Sequence, residues 1–161
     1  MELNEYQKLT DQFAVYPKEK ELEYLVLGVI SEVAELEVKI ENFESIDLEL
    51  GDCFWYISQL CNYFSILLSD YTDTSNTNSL DNFDNHALAG RLASIVKKYI
   101  RQDFDRERLL GKIKPVIFSL AWSISELIDS QTELENLLQK NIDKLNDRKQ
   151  RNVIKGEGDD R

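Results

Sequence analysis

Two acidic pairs carry the chemistry of this chain: Glu32-Val33-Ala34-Glu35 and Glu49-Leu50-Gly51-Asp52. A helical residue advances by about 100°, so residues three apart share a face, and each pair sets two carboxylates side by side. Two such helices packed antiparallel can bring four carboxylates to one place. Converging carboxylates repel one another unless a cation stands among them, and oxygen donors of this kind suit Mg²⁺ or Mn²⁺. A divalent ion in turn points to a phosphorylated substrate. An E-x-x-E pair by itself is common on the solvated face of an acidic helix. Here the setting argues otherwise. The first pair continues the apolar run Leu25-Val26-Leu27-Gly28-Val29-Ile30, and the second leads directly into Cys53-Phe54-Trp55-Tyr56-Ile57.

The elements that must position these acids are helices. Gly and Pro are scarce, at six and two, and apolar residues recur with the helical period. The pattern predicts an all-α bundle of about six helices in a single domain spanning 1–161. The helices are expected at about 2–15, 19–42, 46–69, 82–102, 105–129 and 131–148, with an irregular tail over 149–161. Leu22, Val26, Val29, Val33, Leu36 and Ile40 form the stripe of the second helix, and Leu50, Phe54, Ile57 and Cys61 that of the third. Pro17 ends the first helix, Pro115 should kink the fifth or mark its first turn, and Ser130 or Thr132 is expected to cap the sixth. Asp70 to Ser79 is a polar loop rich in turn formers.

Composition sets limits. With a net charge of -11, the chain should not bind nucleic-acid polymers or anionic membranes non-specifically. Single nucleotides remain open to it, since one metal ion and a few local cations reverse the field. No apolar run reaches the length of a membrane span, and the polar N-terminus does not resemble a signal peptide, so a cytoplasmic location is expected. Cys53 and Cys61 fall on one apolar helix and read as small core residues. A di-iron carboxylate bundle wants Glu-x-x-His motifs, but the single histidine, His86, follows Phe83 by three positions. No Ser-His, Cys-His or phosphate-loop signature is present.

The middle of the chain reads as a faded copy of the acidic hairpin. Aligning Glu32–Ile40 with Leu88–Val96, and Glu49–Leu60 with Lys112–Ser123, places Leu88, Arg91, Lys112 and Pro115 opposite the four acids. Such a hairpin, over 82–129, would pack on the first through Leu88, Leu92, Ile95 and Val96 but hold no metal. Any two amphipathic hairpins would align comparably. Arg91, Lys97, Lys98 and Lys112 could lend charge to a phosphate, or form an ordinary solvated face.

Three segments resemble the MazG-like nucleoside triphosphate pyrophosphohydrolases, an all-α family related to the dimeric dUTPases. They are Leu3-Asn4-Glu5-Tyr6-Gln7 with Tyr16-Pro17; the two acidic pairs with Cys53-Phe54-Trp55-Tyr56; and Asn141 to Lys149 with Gly156-Glu157-Gly158-Asp159-Asp160-Arg161. The resemblance implies Mg²⁺-dependent hydrolysis of a nucleoside or deoxynucleoside triphosphate to the monophosphate and pyrophosphate, as in nucleotide-pool housecleaning. Glu32, Glu35, Glu49 and Asp52 would be the metal ligands (for Mg²⁺, or Mn²⁺), and Glu35 is the choice for the general base. Lys39, one turn beyond Glu35, either meets phosphate or pairs with Glu35. Lys144, Arg148, Lys149 and Arg151 would close on phosphate if the tail folds back; the alternative is a solvated helix end whose cations favour the C-terminal dipole. Asn141 would bind phosphate or sugar, and Trp55 and Tyr56 would line the pocket or pack in the core. The chain departs from the family in the long insert between the metal motif and the C-terminal helix. A homodimer is expected from apolar stripes this wide. The alternative is a helical module that binds a nucleotide or partner without turnover.

Overall fold

The computed structural model describes residues 1–76 and 83–155. Part of the polar loop and the tail glycines Gly156 and Gly158 lie outside the described residues. The described residues form six α-helices: α1 Leu3–Thr10, α2 Glu21–Glu41, α3 Asp47–Phe64, α4 Asn85–Ile100, α5 Arg106–Ser125 and α6 Gln131–Gln150. No strand occurs among the described residues, so the fold is all-α as the periodicity predicts. No described helix is long and apolar enough to cross a membrane.

Helix ends follow local hydrogen bonding. α1 stops at Thr10, short of position 15, because the Thr10 hydroxyl donates back to the Gln7 carbonyl (2.8 Å) and the chain tightens into a 3-10 turn over Asp11–Phe13. α3 stops at Phe64 rather than near 69. Ser65 adopts the left-handed conformation (φ 55), and the Ile66 N–H closes onto the Cys61 carbonyl at 3.0 Å. A serine in that conformation leaves no glycine to signal the stop. α4, α5 and α6 begin at side-chain caps, Asp84 to Ala87 N (2.7 Å), Asp105 to Arg108 N (2.9 Å) and Ser130 to Glu133 N (3.2 Å). Pro115 sits inside α5.

The core is two helical hairpins laid against each other. α2 packs on α3 and α4 on α5; between hairpins, α2 meets α4 and α3 meets α5. Val29, Val33, Leu36, Phe54, Ile57 and Cys61 from the first hairpin are buried with Leu88, Leu92, Ile113, Ile117 and Leu120 from the second. Ile40 and Ile95, expected in the stripes, are only half-buried. α6 crosses α3 and α1, and α1 also packs on α3. On the outside, Leu27 and Ile100 remain exposed beside Val26, Ile30 and Val96 in an apolar groove of about 270 Å³.

The hairpins are copies in their turns as well. Their connections are equal in length, Asn42 to Ile46 and Arg101 to Asp105. The second residue of each is left-handed, Phe43 at φ 56 and Gln102 at φ 64. Glu44 N bonds Lys39 O (2.9 Å) in one, and Asp103 N bonds Lys98 O (3.1 Å) in the other. These turns set the true register. Leu50, Phe54 and Ile57 match Leu109, Ile113 and Val116, all buried. The alignment expected from the sequence is therefore corrected by about a turn in each helix. Opposite Glu32, Glu35, Glu49 and Asp52 stand Arg91, Ser94, Arg108 and Gly111, not Leu88, Arg91, Lys112 and Pro115.

α1 is tied to the bundle by a buried glutamine. Gln7 Nε2 donates to Asn62 Oδ1 (3.0 Å) and to the Ile66 carbonyl (2.9 Å), and Gln7 Oε1 accepts from Leu68 N (2.7 Å). Replacing it with leucine strands the Leu68 N–H and the Ile66 carbonyl. Gln7→Leu is expected to cost about 3 kcal/mol, read as a lower urea midpoint at unchanged m-value.

Candidate functional site

α2 supplies Glu32, Glu35 and Lys39; α3 supplies Glu49, Asp52, Trp55 and Tyr56; α6 supplies Asn141, Lys144 and Arg148. The two acidic pairs face each other across α2 and α3. Burial pushes the Glu32 carboxyl up to about 8, and Asp52, Glu35 and Glu49 each push it the same way, with Lys144 opposing. Burial also raises the Cys53 thiol, and the same four acids add to that rise. All four carboxylates therefore bear on the same stretch of α2 and α3.

Each acid is held differently. Asp52 accepts from Lys144 Nζ on both oxygens (2.6 and 2.7 Å) and from Asn141 Nδ2 (3.0 Å). Asn141 is buried and fixed from behind by the Tyr6 hydroxyl, which donates to its Oδ1 (2.8 Å). Gly51 makes this approach possible, since a Cβ there would lie 2.9 Å from Asn141 Nδ2. Glu49 is buried; its Oε1 lies 3.6 Å from Lys39 Nζ and its Oε2 has no hydrogen-bond partner. Lys39 also reaches Glu44 (3.3 Å), so it turns to α3 and the connection rather than pairing with Glu35. Glu35 is exposed and accepts from the Ser31 hydroxyl at 3.2 Å.

The donor types suit a hard divalent cation: oxygens only, mutually repulsive, one of them buried without a partner. The side chains do not form a cage as they stand. Among the described residues no three acidic, histidine or cysteine groups are placed to share an ion. Lys144 draws Asp52 to itself, and Lys39 lies against Glu49.

Beside the acids an aromatic cleft of about 90 Å³ opens, with Tyr16, Tyr24, Trp55, Tyr56, Glu32 and Asp52 among its walls. Tyr16 stacks on Tyr24 at 4.9 Å between centroids, and Trp55 meets Tyr56 edge-on at 4.8 Å. The Tyr56 ring lies over Gly28, where a Cβ would fall 2.0 Å from Cε1. Trp55 and Tyr56 thus face the cleft while remaining buried and half-buried. Sequence reasoning did not single out Phe13, Tyr16 and Tyr24 as lining. Tyr24 could have been found, since Tyr24, Gly28 and Glu32 share one helical face. Tyr16 lies outside any helix and carries no periodic signal.

The C-terminal cations divide. Lys144 is on Asp52, and the buried Arg148 lines the aromatic cleft. Lys149 instead lies against Gln12 Oε1 (3.4 Å) and over the Phe13 ring (5.4 Å). Arg151 bonds Asp147 Oδ2 at 2.8 Å on its own helix. Neither of the last two is brought to the acids.

The chain is 29% identical, over 91 aligned residues, to the Gene 37 protein of Mycobacterium phage L5; the alignment takes in 45% of this chain and 80% of that protein. No family model matches the chain, and no solved structure matches it.

Glu32 makes the metal-free protein pH-sensitive. Its folded value of about 8 stands above the ordinary 4.5, so the native state holds a proton that the unfolded chain releases. This contribution to stability is full below about pH 4.5 and is lost as pH rises through 8. Between about pH 5 and about pH 9 in EDTA, unfolding free energy is expected to fall by on the order of 2 kcal/mol. Urea unfolding of Glu32→Gln should lack that component.

Proposed function

We propose that this chain is a nucleoside triphosphate pyrophosphohydrolase, converting a ribo- or deoxyribonucleoside triphosphate and water to the monophosphate and pyrophosphate. The observation that carries the reading is the gathering of Glu32, Glu35, Glu49 and Asp52 on the facing sides of α2 and α3, with Lys144 on Asp52 and an aromatic cleft beside them. The likeness of the two acidic pairs and the C-terminal helix to MazG-like enzymes points the same way. Mg²⁺ or Mn²⁺ held by those four carboxylates would neutralise phosphate charge and polarise the reacting phosphorus.

The chain's own groups do the rest. Glu35, exposed and steadied by Ser31, takes the proton of the attacking water on a carboxylate oxygen. Lys144 leaves Asp52 for the phosphate oxygens, a short swing for a flexible stem. Arg148, buried beside the cleft, adds a second cation. Asn141 stays fixed by Tyr6 and presents its amide to phosphate or sugar. Tyr16, Tyr24, Trp55 and Tyr56 accept the base between aromatic faces. At about 90 Å³ the cleft is small for a nucleotide, and Tyr24, 40% exposed, is the wall with room to move.

A second reading has one observation in its favour. The lysine-held acids form no cage, as suits a helical module that binds a nucleotide or a partner without turnover. A pyrophosphate-release assay over a nucleotide panel with Mg²⁺ separates the two. The hydrolase reading expects release from at least one nucleotide, and a loss of at least about 100-fold, roughly 3 kcal/mol, in Glu49→Gln or Asp52→Asn. Silence across the panel, or near-normal turnover in those variants, favours the module.

A further inference from the structure

A wide cleft lies in the second hairpin, not the first. It measures about 660 Å³ and is lined from α4, α5 and their connection alone. All four residues that stand opposite the acids line it: Arg91, Ser94, Arg108 and Gly111. Lys98, which matches Lys39, lines it too, and Lys112 adds a fourth cation. The cleft therefore holds the same place in its hairpin as the acidic centre holds in the other, with the charge reversed.

The geometry points to a second, metal-independent site in this cleft that binds a small polyphosphate, such as a nucleoside triphosphate, directly through Arg91, Lys98, Arg108 and Lys112. Four cations gathered on one face of a chain of net charge -11 need a local reason. Among the described residues none of the four lies within 4.0 Å of a carboxylate in an ion pair. Asp103 is the one acid in the lining, and Arg101 already pairs with it. Lys112 rests 5.7 Å from the centroid of the Phe104 ring, itself part of the wall. Ile95, Pro115 and Val116 supply the remaining apolar side, which suits a ligand with a flat or apolar part beside its phosphates. Gly111 is part of the wall, and a Cβ there would meet nothing within 4 Å, so this side of the cleft is open space. At the acidic centre α6 crosses α3 and brings Lys144; here the cations come from the hairpin itself, so no divalent ion is needed to attract an anion.

The claim does not depend on the hydrolase reading, and its test is run without divalent metal. Titrate the full chain in EDTA with inorganic tripolyphosphate and, separately, with a nucleoside triphosphate, by calorimetry at two salt concentrations. Saturable binding that weakens with salt is expected. Arg91→Gln and Arg108→Gln should each weaken it at least about 10-fold, about 1.4 kcal/mol. Gly111→Leu, which places a bulky side chain on the wall without changing the charge, should also weaken it. These side chains are exposed, and an unchanged thermal midpoint would show each variant folded. Tighter binding of the nucleotide than of tripolyphosphate assigns the Phe104 wall to the base; equal binding assigns the site to the phosphate chain alone. The proposal is overturned by no binding up to about 5 mM, a limit near 3 kcal/mol. It is also overturned by binding that survives both arginine changes but is lost in Lys144→Gln, or by a single-stranded oligonucleotide that binds more tightly than either probe.

Discussion

The contact between Lys144 and Asp52 holds the candidate site together. Glu32, Glu35, Glu49 and Asp52 repel one another in a region partly shielded from water, and burial keeps the Glu32 carboxyl protonated to about 8. Such a cluster is relieved by the proton that Glu32 keeps and by positive charge beside it. Lys144 supplies it from α6 with both of its close contacts on Asp52, and Lys39 supplies more at Glu49. Asn141, wedged against Gly51 and backed by Tyr6, fixes where α6 lies and so where Lys144 ends. The same constraint links the first helix, the last helix and the acidic hairpin, although they are far apart in sequence.

Two hairpins of one design carry opposite charge. Equal connections, left-handed Phe43 and Gln102, and matching buried positions show one architecture used twice. Because α2 meets α4 and α3 meets α5, the apolar stripes satisfy each other and leave the outer faces free to differ. One outer face gathers carboxylates under α6. The other gathers arginines and lysines around an open cleft. The fold fixes where each cluster sits; the residues at the matched positions decide what each can hold.

Much of this was legible in the sequence, for physical reasons. Long 3.6-periodic stripes with few Gly or Pro residues specify helices strongly, and all six were readable. The acids were readable because three-residue spacing inside apolar runs sets each pair on one helical face; which of them is buried (Glu49) and which exposed (Glu35) was not. Helix ends were less so: Ser65 takes a glycine's conformation, and Thr10 ends α1 by bonding its own backbone. The register of the repeat was misread because a slip of one turn leaves an amphipathic stripe nearly in phase. Only the turn geometry, Phe43 against Gln102, fixes it. Charge alone could not sort the C-terminal cations either, since Lys144 and Arg148 reach the site while Lys149 and Arg151 do not.

The proposed divalent metal centre joins four carboxylates, of which Asp52 is held by Lys144 and Glu49 by Lys39. Crystals soaked in Mn²⁺ test it most directly through anomalous diffraction. One or more peaks are expected among Glu32, Glu35, Glu49 and Asp52, with Lys144 moved off Asp52. A peak elsewhere, or no peak at saturating Mn²⁺ with Lys144 still on Asp52, would contradict it.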